Sequence, residues 1–277
     1  MKQALKAIQK ISFWVVVLAL LAYSIFPIYW MVVTSFRSTA TITSDSGLWP
    51  QDPTFENFLD LNRLFNYSEQ YMNSLIVATS VTVITMLICT LVAYAIARRN
   101  FKGRKTLTIA LLFSYMFPPL LTLIPLYVYM VKAGLGDTLI ALILVELTVT
   151  MPLGIWMLWG FFKSMPFQLE EAAMIDGCSR LGAFVRIMLP LAKPGMITVA
   201  IFSFLISWNG YLAPTVMIES DSNKTLQMGL TAVSGNMTAQ WGLLMAACTM
   251  IVAPLVVGFL LLNRYFIQGL AGAGVKG

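Results

Sequence analysis

Met165-Pro166-Phe167-Gln168-Leu169-Glu170-Glu171-Ala172-Ala173-Met174-Ile175-Asp176-Gly177, continued through Cys178–Arg186 to Ile187-Met188-Leu189-Pro190, is a helix-forming stretch set between two long apolar ones. Pro166 suits a first helical turn, and Glu170 and Glu171 follow where the positive end of the helix dipole favours acid. Ala172 and Ala173 form helix well and carry almost no side chain, so another surface can come close to the backbone. Gly177 falls where the helix should end in a left-handed residue. Leu181, Phe184, Ile187 and Met188 resume a helical apolar period, which Pro190 is expected to stop. The stretch therefore predicts two short helices joined by a sharp Asp176-Gly177 turn. An elbow of this kind, in a chain with no soluble domain to receive it, calls for another polypeptide.

The surroundings of the elbow are apolar enough to make lipid the solvent. Of 277 residues, 58% are hydrophobic and 11% charged, with mean hydropathy +0.80; a soluble domain carries about 25% charged residues. A helix crosses a bilayer with about 20 apolar residues, since unpaired backbone groups are too costly in hydrocarbon. Six stretches qualify, near Phe13–Val33, Ser74–Ala97, Leu107–Val131, Thr138–Gly160, Gly195–Met217 and Trp241–Leu262. The first follows Lys2, Lys6 and Lys10 but is too long for a signal-peptide core and ends in Tyr29 and Trp30, so it reads as a retained span.

Lys and Arg orient the spans. Fourteen of the eighteen flank one side, among them Arg98, Arg99, Lys102, Arg104, Lys105, Lys163, Arg180, Arg186, Lys193, Arg264 and Lys276; Arg37, Arg63, Lys132 and Lys224 flank the other. Asp45, Asp52, Glu56, Asp60, Glu69, Asp137, Glu219 and Asp221 fall with the smaller set. Both termini are thus expected in the cytoplasm, and the net charge of +6 belongs to helix ends rather than to a nucleic-acid face. The expectation is an all-α, polytopic protein of six transmembrane helices forming one domain over residues 1–277, with an inner loop at about 162–194 and an outer segment at about 37–73. The outer segment holds Trp49-Pro50 and an amphipathic helix around Phe55–Phe65.

The inner loop resembles the EAA loop of binding-protein-dependent ABC importer permeases. Each position of E-A-A-x3-G-x9-I-x-L-P is filled, by Glu171, Ala172, Ala173, Gly177, Ile187, Leu189 and Pro190. Phe26-Pro27-Ile28-Tyr29-Trp30, Asp176-Gly177, Trp208-Asn209 and the tail from Asn263 to Leu270 are similar to the maltose-type carbohydrate subfamily, in particular to the second permease of each pair. The resemblance implies a type I importer permease fold in a bacterial cytoplasmic (inner) membrane. It also implies partners: a homologous permease completing a heterodimer, two ATPase subunits carrying ATP and Mg, an extracytoplasmic solute-binding protein, and a sugar. Coupling to the ATPase would fall on Glu170, Glu171, Ala172, Ala173, Asp176, Gly177, Leu189 and Pro190, with Glu171 pairing a basic ATPase residue. In the family the C-terminal tail can reach between the ATPase subunits; a flexible end is the plainer reading of Gly269–Gly277.

Other classes fit less well. No G-x-x-x-x-G-K-[ST] loop is present to cradle phosphates, and the chain has no histidine, so no catalytic residues are assigned and hydrolysis is expected on a separate subunit. Cys89, Cys178 and Cys248 have no metal-ligand spacing, and no metal site is expected. A secondary transporter would favour paired intramembrane acids or inverted repeats; Glu146 stands alone within its span, roughly 12 Å in from its outer end. Glu146 can be read as functional or as a structural hydrogen-bonding group. Trp208, Asn209 and Tyr211, with Tyr115 and Tyr127 behind them, are candidates for a sugar path, since sugars stack on aromatic faces and bond amides; they can equally be packing residues. Pro118-Pro119 and Pro125 mark either a gate or a kink in the third span.

Overall fold

The computed structural model describes residues 2–38, 42, 47–235 and 240–274. Asp45, Lys276 and the last three residues of the tail lie outside them. All regular structure among the described residues is helical. Two compact units are formed, Met1–Tyr67 with Leu230–Pro254 and Ser68–Gly229 with Leu255–Gly277.

In the first unit, α1 (Lys2–Ser35) presents Phe13, Trp14, Leu18 and Leu21 outward, as a helix solvated by lipid or by another chain must. Its end is tied down by polar groups. Asn57 Nδ2 donates to Ser35 O at 2.9 Å and to Arg37 O at 2.7 Å, and the buried Arg37 guanidinium lies 4.8 Å from the centre of the Trp30 ring. Asn57 belongs to α2 (Glu56–Phe65), the expected amphipathic helix, which packs through Phe58 on Phe36 at 5.3 Å.

The second unit carries the site. Its frame is α3 (Tyr67–Arg98), α4 (Arg104–Met116), α5 (Pro119–Lys132), α6 (Leu139–Ser164), α7 (Gln168–Ile175), α8 (Arg180–Ala183) and α9 (Leu189–Trp208). The chain continues through α10 (Leu212–Met217), α11 (Leu226–Ser234) and α12 (Trp241–Gly274). Among the described residues five helices are long and apolar enough to span a bilayer, and α4 with α5 supplies a sixth stretch. Thr138 caps α6 by accepting from Ala141 N–H at 3.2 Å. The Thr85 and Thr150 hydroxyls bond at 2.9 Å between α3 and α6, satisfying each other where lipid would satisfy neither.

The third stretch breaks at Pro118-Pro119, as expected, into two helices bent by 100°, and three other boundaries differ from the expectation. Phe117, preceding a proline, is driven to extended backbone (φ −75°, ψ 131°), and neither Pro118 nor Pro119 has an N–H to continue the ladder. Pro125, by contrast, stays inside α5. The fifth span ends at Trp208 instead of continuing to Met217: Asn209 N–H still bonds Leu205 O at 3.1 Å, but Gly210 N–H turns back to Ser207 O at 3.0 Å, and α10 is a separate short helix. Pro190 does not stop the elbow's second helix. A π turn over Phe184–Met188 shifts the hydrogen-bond register, so that Leu189 N–H bonds Phe184 O and Pro190 falls in the first turn of α9, where its missing donor costs little. The second arm of the elbow is therefore continuous with the fifth span. Finally, residues 269–274, read as part of a flexible tail, extend α12.

Candidate functional site

The elbow has the turn its sequence called for. Gly177 sits at φ +89°, with Cys178 N–H on Ala173 O at 2.9 Å and Gly177 N–H on Met174 O at 3.2 Å, the paired bonds of a glycine-terminated helix. Ser179 then caps α8 by accepting from Gly182 N–H at 3.1 Å. An eight-residue helix cannot hold itself in water, so what packs against α7 decides its orientation. Glu170 and Ala173 are buried, while Glu171, Ala172, Ile175 and Asp176 are exposed. Ile175 is 85% and Leu181 is 70% exposed. The outward surface of the elbow is thus a carboxylate beside a small residue, flanked by uncovered aliphatic side chains. Leu189 is half-buried and Pro190 exposed at the start of α9.

The two adjacent glutamates serve opposite faces. Glu170 turns inward, where Tyr94 Oη donates to its Oε1 at 2.6 Å and the Arg98 Nε lies 3.9 Å from Oε2. Arg98 Nη2 also donates to Met165 O at 3.0 Å, and its guanidinium covers the Phe167 ring at 4.2 Å. Sequence reading passed over this cluster, counting Arg98 only among the inner-side charges. A Tyr and an Arg four residues apart share a helix face, and that spacing at the end of an apolar span was the available signal.

Outside the elbow, a cavity of about 350 Å³ opens where both broken helices end. It brings together Glu146, Asn209 and Tyr211 from the sugar-path candidates, with Pro119, Thr122 and Gly210. Ser207 Oγ donates to Glu146 Oε2. A Cβ at Gly210 would meet Glu146 Oε1 and Ser207 O, each at 3.0 Å, so glycine is what lets the α9 terminus approach the carboxylate. The remaining candidates lie elsewhere. Trp208 is 1% exposed, enclosed edge-on by Tyr71 at 5.4 Å and stacked on Phe204 at 5.5 Å. Tyr127 Oη donates to Glu219 Oε1 at 2.7 Å, and Tyr115 is exposed on α4. No cluster of metal-ligating side chains occurs among the described residues.

The segment after α10 is held by polar groups from the connection between α5 and α6 and from α3. Asp137 Oδ1 accepts from Glu219 N–H at 2.9 Å and Ser220 N–H at 3.1 Å, and Asn223 Nδ2 donates to Asp137 O at 2.7 Å. From α3, Asn73 Nδ2 donates to Ser222 O at 2.7 Å and Lys224 O at 3.0 Å. The two N–H donors hold the Asp137 carboxyl below its ordinary pKa.

Helices long and apolar enough to cross a membrane thus enclose a cavity edged by Glu146 and Asn209, with a helical elbow exposed at their end. Residues 89–272 match the family of binding-protein-dependent transport system inner membrane components, and the chain belongs to that family. It is 35% identical over 275 residues to the inner membrane ABC transporter permease protein YcjP of Escherichia coli (strain K12), covering 98% of each chain. The diacetylchitobiose uptake system permease protein DasC of Streptomyces coelicolor is 34% identical, over 91% of this chain and 92% of that protein. The trehalose transport system permease protein SugB of Mycobacterium tuberculosis is 32% identical, over 97% and 99%. A bacterial ABC transporter involved in the import of the acidic polysaccharide alginate has the same fold, with TM-score 0.81 and 20% identity over 94% of this chain and 97% of that one. The protein is a permease subunit of an ABC importer, multi-pass in the cytoplasmic membrane, and is not itself an enzyme.

Proposed function

We propose that this subunit imports a sugar or sugar derivative delivered by an extracytoplasmic solute-binding protein, and that α7 couples ATPase closure to alternating access. The observation carrying the reading is the two-faced α7, with Glu171 and Ala172 exposed and Ala173 buried. An ATPase cleft would receive the outward face, Glu171 pairing with a basic side chain while Ala172 allows close approach. Asp176 and Gly177 form the turn, and the π turn through Leu189 and Pro190 passes its displacement into α9. A homologous permease completes the membrane pathway as a heterodimer, two ATPase subunits bind ATP and Mg, and both termini face the cytoplasm with them. On the solute side, Glu146, Asn209 and Tyr211 offer hydrogen-bond acceptors, an amide and an aromatic face to a hydroxylated ligand. The names of the relatives, which include diacetylchitobiose and trehalose, support a saccharide without choosing one.

The test is ATPase activity of the complex purified with its encoded neighbours, for wild type and Glu171→Lys, with and without binding protein and candidate sugars. Stimulation by loaded binding protein in the wild type, and its loss in a variant whose membrane subunit still folds, is the expected result. A subunit that purifies alone and transports on an ion gradient would overturn it.

A further inference from the structure

Glu170 stands one residue before the outward-facing Glu171, yet it is spent on the interior. Two charged groups are enclosed there, with the Arg98 side chain 1% and the Glu170 side chain 11% exposed. Burial of an ion pair is poor evidence of stabilisation, since apolar side chains of similar volume often do as well; its better-attested effect is to fix one arrangement among several. The arrangement fixed here is the attitude of α7 on α3. Apart from Ala173, Glu170 is the one α7 residue that is buried, so this carboxylate is the principal polar anchor of an eight-residue helix.

Tyr94 widens the anchor into a hub. Its hydroxyl reaches α7, while its ring packs on Phe184 of the π turn at 4.4 Å and on Phe162 of α6 at 5.7 Å. Arg98, one turn later on the same face, grips the segment leading into α7 at Met165 O and over Phe167. The elbow is joined to α9 by the chain itself. Its connection to α3 depends on these side chains.

We propose that Tyr94, Arg98 and Glu170 are positioning residues that lock α7 to the inner end of α3, so that a displacement of α7 carries α3 with it as one body. The inference rests on the reading that an ATPase subunit displaces α7; it adds a second route into the membrane, parallel to the covalent one through the π turn.

The experiment uses the assembled complex, with Cys89, Cys178 and Cys248 replaced by Ser and spin labels at Leu91→Cys and Gln168→Cys. In the parent complex the label separation stays the same between nucleotide-free and ATP–vanadate-trapped states. With Glu170→Gln or Tyr94→Phe added, trapping shifts or broadens it, and stimulation of ATPase by loaded binding protein falls by about fivefold or more while basal hydrolysis persists. Tyr94→Phe keeps both ring contacts and deletes only the hydroxyl, so it carries the test if Glu170→Gln does not fold. A parent complex whose separation changes on trapping, or variants that keep both the separation and the stimulation, overturn the lock. Glu171→Lys is the separate control: if it retains both co-purification with the ATPase and stimulation, the coupling reading itself fails, whatever the labels report.

Discussion

Asp137 holds the Glu219 backbone N–H at 2.9 Å across 82 residues of sequence, and the same carboxylate oxygen takes the next N–H as well. The charged form of Asp137 is the one these bonds favour, and its depressed pKa makes the clasp sensitive to acid. A carboxyl whose folded pKa lies below the unfolded value of about 3.9 contributes stability above that value. The contribution is lost as pH falls through the folded pKa. The wild-type Tm should therefore exceed that of Asp137→Asn at neutral pH, and the gap should shrink below about pH 4. Thermal unfolding in nanodiscs across that range checks the sign; a gap that widens in acid would refute it.

Gly177→Ala places a Cβ on a residue at φ +89°, at a cost of about 1–2 kcal/mol. The space around that position is open, so the penalty is conformational rather than steric. Co-purification of the ATPase subunits should weaken while the membrane helices keep their ordinary circular dichroism. Gly177→Asn, which tolerates left-handed backbone better, should recover much of the loss.

Gly210→Ala puts a Cβ against Glu146 Oε1 and Ser207 O. Overpacking of this sort costs about 1–3 kcal/mol, and the added methyl group also enters the cavity. Glu146→Ala instead leaves the buried Ser207 hydroxyl without its acceptor, a penalty of about 1–3 kcal/mol, whereas Glu146→Gln preserves an acceptor and should be milder. Comparison of Tm and sugar uptake for the three variants separates packing from recognition: Glu146→Gln with a wild-type Tm and lost uptake marks a solute contact.

Pro118→Ala with Pro119→Ala restores two backbone donors and frees Phe117 from the extended region. The 100° bend between α4 and α5 should open toward a straighter helix. Spin labels at the exposed Phe113 and Ile124 should move apart, and an unchanged separation would assign the bend to packing rather than to the prolines.

The sequence by itself determined the solvent, the helical class and the elbow. Those follow from one-dimensional quantities: twenty-residue apolar runs, and an E-A-A-x3-G spacing whose glycine must turn the chain. Even the break at Pro118-Pro119 was visible, because proline acts on its immediate neighbours. Only the tertiary structure decided which of two adjacent glutamates faces inward. Neighbouring residues differ by about 100° around a helix, so helical period allows either one to be buried; the choice is made by Tyr94 and Arg98, more than seventy residues earlier in the chain. The same holds for the cavity, which gathers Glu146 with Asn209 and Tyr211, and for Trp208, which lies outside it among aromatic rings. Composition marks a residue as able to stack or to accept a hydrogen bond, but its actual partner is set by helix packing, where contacts depend on distance in space rather than along the chain.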